Sequence, residues 1–171
     1  MNSILCVNIA FAIYFIYNVI SLVMFGPPWS LSKTYYLFKS KRKCLRILFP
    51  LMMFSVTFLL LPAWLEISEY NNLQFTAFLA AGGILFTGAA PAFNNSKLEN
   101  NVHTFSAFAA ALFAILWIIF VSGCWTALII WFILILIISI ITNTYKTSYV
   151  YWLETVAFMA TFTSIINYFY S

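Results

Sequence analysis

The chain has 171 residues, of which 64% are hydrophobic and only 7% are charged, with a formal net charge of +4. Soluble domains are about 45–50% apolar and about 25% charged, so this composition excludes a soluble globular domain. The sequence predicts a single transmembrane domain over residues 1–171. We expect the lipid bilayer as its main partner and no nucleic acid.

Six apolar stretches have the length of membrane-spanning helices, which need about 20 mostly apolar residues. In chain order they cover residues 4–25, 45–66, 75–93, 102–121, 125–141 and 149–170. Short connections make consecutive helices antiparallel neighbours. The first stretch lacks the basic segment and cleavage site of a signal peptide, so we expect it to be retained as a helix.

The basic residues predict how this bundle is oriented. Seven of the eight lysines and arginines lie in the first, third and fifth predicted loops, and Arg46 lies at the adjoining end of the second stretch, so all eight are on one side of the bundle. The positive-inside rule assigns that side to the cytoplasm. The expected fold is therefore an all-α, six-helix antiparallel bundle with both termini non-cytoplasmic, integral to the cytoplasmic (inner or plasma) membrane.

The longest predicted loop combines an apolar stripe with a basic run. Ser30 can cap a short helix in which Leu31, Tyr35 and Phe38 share one face. The basic residues that follow are Lys39, Lys41, Arg42 and Lys43. This pattern is typical of a helix lying on anionic lipid headgroups. A plain topology signal explains the basic residues equally well.

The predicted helices differ in side-chain size, which predicts their places in the bundle. The third is rich in glycine and alanine and should be central, with Gly82, Gly83 and Pro91 marking where it bends or ends. The fourth carries alanines at i+4, i+7 and i+11 from His103, so this face should pack against another helix. The fifth is mostly isoleucine and leucine and should face lipid.

Polar side chains on three predicted helices converge near the end assigned to the cytoplasm. The candidate ligand-binding residues are Tyr14, Asn18, Ser21, His103, Glu154 and Thr161. A carboxylate inside a membrane span is costly and is a functional candidate by default, so Glu154 is the leading residue. The alternative is a structural role for Glu154, paired with His103 or Lys146.

We expect Glu154 and His103 to approach each other, directly or through a water. In the competing arrangement His103 pairs with Glu99, one helical turn away. Asn100 or Asn101 is expected to cap the helix that carries His103.

Three function classes stay open. The leading hypothesis is a non-enzymatic protein that binds a lipid or small amphiphile, or a partner membrane protein, through a cytoplasm-facing polar cavity. The second is a membrane-embedded lipid-modifying enzyme, with His103 as general base and Glu154 or Glu99 as the acid or orienting group. The third is a small proton-coupled transporter or channel with Glu154 as proton carrier.

The inventory of metal-binding side chains is thin. With one histidine and three scattered cysteines, the sequence contains no zinc-site spacing, and no metal or cofactor is expected. Cys6 and Cys124 both fall near the predicted outer face, so a disulfide between them stays open.

One part of the chain resembles a known group. The glycine-rich segment from Gly83 to Gly88 is followed by Pro91, then by Glu99, His103 and the alanines after it. This order resembles the DRAM/Sfk-like group of six-helix membrane proteins and related bacterial membrane domains of unknown function. The resemblance implies a six-helix membrane fold and no particular activity.

Overall fold

A computed structural model describes residues 2–93 and 96–170, and this part of the chain is helical without a β-strand. The α-helices are α1 (Ser3–Phe25), α2 (Thr34–Lys41), α3 (Leu48–Ser68), α4 (Phe75–Ala89), α5 (Lys97–Trp117), α6 (Trp125–Ile141) and α7 (Tyr149–Tyr170). Short 3₁₀ turns precede α2 and α3, and a π-helical turn extends α5 through Ser122. The predicted all-α class is confirmed.

Four helical segments are long and apolar enough to cross a membrane: Ser3–Phe25, Lys43–Ser68, Lys97–Ser122 and Tyr149–Tyr170. Helices α4 and α6 are apolar but shorter, with 15 and 17 residues. All six predicted apolar stretches are therefore helices. The crossing of the membrane by all six stays a prediction.

Local capping chemistry decides where α4 ends and α5 begins. Helix α4 ends at Ala89 rather than residue 93, because the residue before Pro91 is disfavoured in helical geometry. Helix α5 begins at Lys97 rather than residue 102. Ser96 accepts a hydrogen bond from the Glu99 backbone N–H at 3.1 Å, and its hydroxyl donates to the Glu99 carboxylate at 3.3 Å. This cap at Ser96 replaces the predicted cap at Asn100 or Asn101, which is wrong.

The centre of the bundle is built on small residues. Helix α4 packs between α3 and α5, and α1 packs on the other side of α3. A Cβ atom added at Gly83 would lie 2.6 Å from the Ala110 backbone nitrogen and 2.7 Å from the Ser106 carbonyl oxygen. Backbones this close require glycine at position 83. Helix α4 continues through Gly82 and Gly83 and ends before Pro91.

Helix α6 lies on the rim, as its composition predicts. It packs against α7 rather than along α5, although it follows α5 in the chain. Only Ala127, Ile135 and Ser139 of this helix are buried. The turn between α5 and α6 is made at Gly123, whose φ of 67° is left-handed. The bulky, branched side chains of α6 prevent its backbone from approaching α5 closely.

The segment between α1 and α3 folds inward. Leu31, Tyr35 and Phe38 are buried. The Phe38 ring packs against Phe25 and Tyr17, with centroids 5.2 and 5.7 Å apart. The apolar stripe of α2 thus rests on the bundle. Contact of this segment with anionic lipid headgroups stays a prediction. The basic run still points outward: Lys41, Arg42 and Lys43 are exposed and Lys39 is half-buried.

Candidate functional site

A cavity of about 1100 Å³ lies between α5, α6, α7 and the segment that follows α1. We call it the lateral cavity. Its long wall is apolar, with Phe108 and Ile115 from α5 facing Leu128, Ile129 and Phe132 from α6. Its polar side chains are Ser30, Ser32, Lys33, Asn100, His103, Thr104 and Glu154. The cavity is therefore amphiphilic.

A second, narrower cavity of about 60 Å³ runs into the bundle, and we call it the inner cavity. Both cavities are lined by Ser32, Ala107, Ala111, Glu154 and Ala157. The inner cavity extends to Trp64 on α3 and Thr161 on α7. Glu154 thus lies at the junction of the lateral cavity and the inner cavity.

Glu154 holds the segment after α1 in place. Its Oε2 accepts a hydrogen bond from the Leu31 backbone N–H at 2.6 Å. This N–H belongs to the first residue of a 3₁₀ turn and has no partner within the turn, so the carboxylate supplies one. Two more bonds dock the same segment: Ser148 Oγ donates to the Pro27 carbonyl at 2.9 Å, and the Tyr151 N–H donates to the Trp29 carbonyl at 3.0 Å.

His103 joins the start of α5 to the end of α4. Its Nδ1 lies 2.9 Å from the Ala90 carbonyl oxygen, and its ring stacks on Phe93 with centroids 4.6 Å apart. A carbonyl oxygen only accepts, so Nδ1 carries the hydrogen. In the neutral ring, Nε2 is then an acceptor.

Glu154 and His103 line the same lateral cavity but have different hydrogen-bond partners. No direct hydrogen bond joins them in residues 2–93 and 96–170. Glu99 bonds to Ser96, so the alternative pairing of His103 with Glu99 is not formed either. Glu154 and His103 therefore line one cavity without a hydrogen bond between them in the described structure.

The predicted residues of α1 lie in a helix interface and line neither cavity. Asn18 is satisfied there, since its Nδ2 donates to the Tyr14 carbonyl at 2.8 Å and its Oδ1 accepts from the Tyr151 hydroxyl at 3.0 Å. The buried hydroxyls of Tyr14 and Ser21 have no partner in the described structure. Asn18 therefore joins α1 to α7, and the Tyr14 ring stacks on Phe158 of α7, with centroids 4.6 Å apart.

Thr161 lines the inner cavity, and its hydroxyl donates to the Ala157 carbonyl at 2.8 Å. Sequence reasoning missed Trp64, whose buried indole N–H has no partner in the described chain although the residue lines the same cavity. It also missed Ser32 and Lys33 as cavity residues. No local pattern marks these three, because they reach the site only through folding.

All three cysteines are free, with Cys6 buried, Cys124 half-buried and Cys44 exposed. The disulfide left open between Cys6 and Cys124 is not formed. In the part of the chain that the structure describes, no group of three histidine, cysteine or acidic side chains is placed to hold a metal ion.

No protein-family model, curated protein or solved structure matches this chain. The resemblance to the DRAM/Sfk-like group therefore stays a prediction. The function has to be argued from the geometry of the two cavities.

Proposed function

We propose that this protein binds a lipid or small single-chain amphiphile in the lateral cavity. The observation that carries the proposal is the shape and chemistry of that cavity: about 1100 Å³, with an apolar wall and a set of polar side chains. Ligand sites are concave, mostly apolar and oriented by a few polar groups, and the lateral cavity fits this description. The chain of the ligand would lie between α5 and α6, with its head near Glu154.

The proposal includes an orientation in the membrane. If α4 and α6 both cross, all eight basic residues fall on one side, and the polar part of the cavity faces the cytoplasm. At 1.5 Å per residue, the 15 residues of α4 span roughly 22 Å, which local thinning of the bilayer accommodates. Both termini are then non-cytoplasmic, in the cytoplasmic membrane.

Cysteine labelling tests this orientation. A single cysteine at Lys41, in a background without the native cysteines, should react with a membrane-impermeant reagent only after the cells are opened. A cysteine at Tyr70, in the connection between α3 and α4, should react in intact cells. Labelling at Lys41 from outside intact cells would contradict the orientation.

The exposed basic run is the second membrane contact that we propose. Lys41, Arg42 and Lys43 are solvent-facing, and Lys39 is half-buried. Each such charge near an anionic surface contributes about 1 kcal/mol. Replacing all four by glutamine should reduce the anionic lipid that co-purifies with the protein, whereas unchanged co-purification would show that the run only sets topology.

Photo-crosslinking tests the proposed binding. A long-chain probe with a diazirine in its chain, added to the protein in neutral nanodiscs, should label Phe108 and Phe132 more than the lipid-facing Ile16. The variant Ala111→Trp fills the junction of the two cavities and should remove this excess labelling. Ala12→Trp, the same change on the exposed face of α1, is the matched control. Equal labelling of cavity and lipid-facing positions would contradict the proposal.

A second candidate function, chemical modification of the bound lipid, has one observation in its favour. His103 and Glu154, the two groups able to transfer protons, line the same cavity. Incubation of the purified protein with its co-purifying lipids, followed by mass spectrometry, tests it. A product that forms with the wild-type protein and not with His103→Gln would favour an enzyme over a binding protein.

A further inference from the structure

We propose that the amphiphile bound in the lateral cavity carries a primary amine as its head group, and that Glu154 recognises it. This rests on the proposed function and adds the chemistry of the head. Three features of the cavity support an amine: the free oxygen of Glu154, the second acceptor on His103, and the contact of Lys33 with an aromatic ring.

Glu154 has acceptor capacity to spare. Its Oε2 is used by the Leu31 N–H, and Oε1 has no hydrogen-bond partner in the described chain. The residue is half-buried and lines both cavities. A carboxylate in such low-dielectric surroundings is costly without a counter-charge, and no lysine or arginine of the described chain forms an ion pair with it. An ammonium head supplies both the missing charge and the missing donors.

His103 offers a second acceptor in the same cavity. Its Nδ1–H is committed to the Ala90 carbonyl, which leaves Nε2 of the neutral ring as an acceptor. An ammonium group has three donors, so it can donate to a carboxylate oxygen or to a ring nitrogen. A carboxylate or phosphate head is an anion and would be repelled by the carboxylate of Glu154.

Among the described residues, Lys33 is the one lysine or arginine that lines the cavity, and it does not reverse this preference. Its Nζ lies over the Tyr36 ring, 5.4 Å from the centroid, a cation–π arrangement. The ammonium of Lys33 is thus directed at an aromatic face. The carboxylate of Glu154 therefore determines that the cavity accepts a cationic head group.

Competition against the photoreactive probe tests the inference. Four amphiphiles of one chain length, with amine, alcohol, carboxylate and phosphate heads, are compared in neutral nanodiscs. Each is measured on the wild-type protein and on Glu154→Gln, whose amide oxygen can still accept from Leu31. Comparing the two proteins for one amphiphile cancels its partition into the bilayer. We expect Glu154→Gln to weaken the amine about tenfold and to leave the alcohol within about twofold, a difference of about 1.4 kcal/mol for the amine.

Two further variants complete the design. Glu66→Gln alters an exposed carboxylate far along the chain and should change none of the four affinities. Lys33→Met should leave the amine unchanged or bind it more tightly. The inference is overturned if Glu154→Gln weakens the amine and the alcohol equally, or if it weakens the carboxylate or phosphate as much as the amine. If no chain labels the cavity at all, the proposed function itself fails, and this outcome is distinct.

Discussion

Helix α5 packs against its two sequence neighbours in opposite ways. Against α4 the backbones nearly touch, with Gly83 set against the main chain at Ala110. Toward α6 the two helices stand apart, and the lateral cavity fills the gap between them. Both neighbours are apolar and joined to α5 by short connections, so hydrophobicity alone does not decide which pair closes.

The difference lies in side-chain size. In lipid, helices gain little from burying apolar surface against each other, because lipid tails are equally apolar. Close packing is what holds them together, and it requires small residues. Helix α4 supplies glycine and alanine along its contact, whereas α6 supplies isoleucine, leucine and phenylalanine. A bulky helix that packs mainly on α7 leaves the second face of α5 beside the lateral cavity.

The largest effect is expected at the closed interface. Gly83→Leu forces a side chain into backbone atoms of α5 and should lower the free energy of unfolding by about 3 kcal/mol. Gly82→Leu is the matched control, because a Cβ at Gly82 has no neighbour within 4 Å. Its effect should stay within about 0.5 kcal/mol. Unfolding in mixed detergent micelles measures both. Equal decreases in the free energy of unfolding for the two variants would show that the Gly82 and Gly83 faces of α4 are packed equally closely.

The next effect concerns the segment that borders the cavity. Glu154→Ala leaves the Leu31 N–H without its charged acceptor and should cost about 2 kcal/mol. Glu154→Gln keeps an acceptor and should cost less than half as much. Hydrogen exchange at the Leu31 amide should speed up in the alanine variant and change little in the glutamine variant. Unchanged exchange in both would mean that the segment is held without Glu154.

A smaller effect is expected where α4 meets α5. His103→Ala removes the bond to the Ala90 carbonyl and the stacking on Phe93, and should cost about 1 kcal/mol. Thr104→Ala, the neighbouring position on the exposed surface of α5, is the control and should change stability by less than about 0.5 kcal/mol. Thermal unfolding of the two variants side by side decides between a structural tie and a side chain that only faces the cavity.

The smallest effect is expected on the open side of α5. Ala111→Leu adds volume to a space that is already empty of protein atoms, so its effect on the free energy of unfolding should stay within about 0.5 kcal/mol. It should nevertheless reduce labelling of the cavity by the long-chain photoprobe. A loss as large as that of Gly83→Leu would mean that both faces of α5 are equally closed.

Local sequence patterns predicted most of the helices. Long apolar runs identified all six large helices, and the first, fifth and sixth predicted stretches match α1, α6 and α7 to within a residue at each end. The errors are also local in origin. The predicted start of α5 is late because the cap at Ser96 precedes the apolar run. The predicted end of α4 is late because apolar residues continue past Pro91.

The candidate site was less predictable. The sequence singled out Glu154 and His103, and both line the lateral cavity. It also singled out the polar residues of α1, which share a face by helical spacing but lie in the packing against α7. The spacing of residues along a helix shows which side chains share a face. It does not show which other segment that face packs against. Trp64 and Lys33 were missed for the same reason.

The amino-acid sequence by itself determined that this is an all-α protein with apolar helices, where those helices lie, and which of them are rich in small residues, because these properties depend on neighbouring residues within a few helical turns. Tertiary structure alone decided that Glu154 bonds to Leu31, a partner 123 residues away, and that α6 leaves a cavity beside α5. Both depend on how side chains of distant segments fit together, and no local pattern encodes that fit.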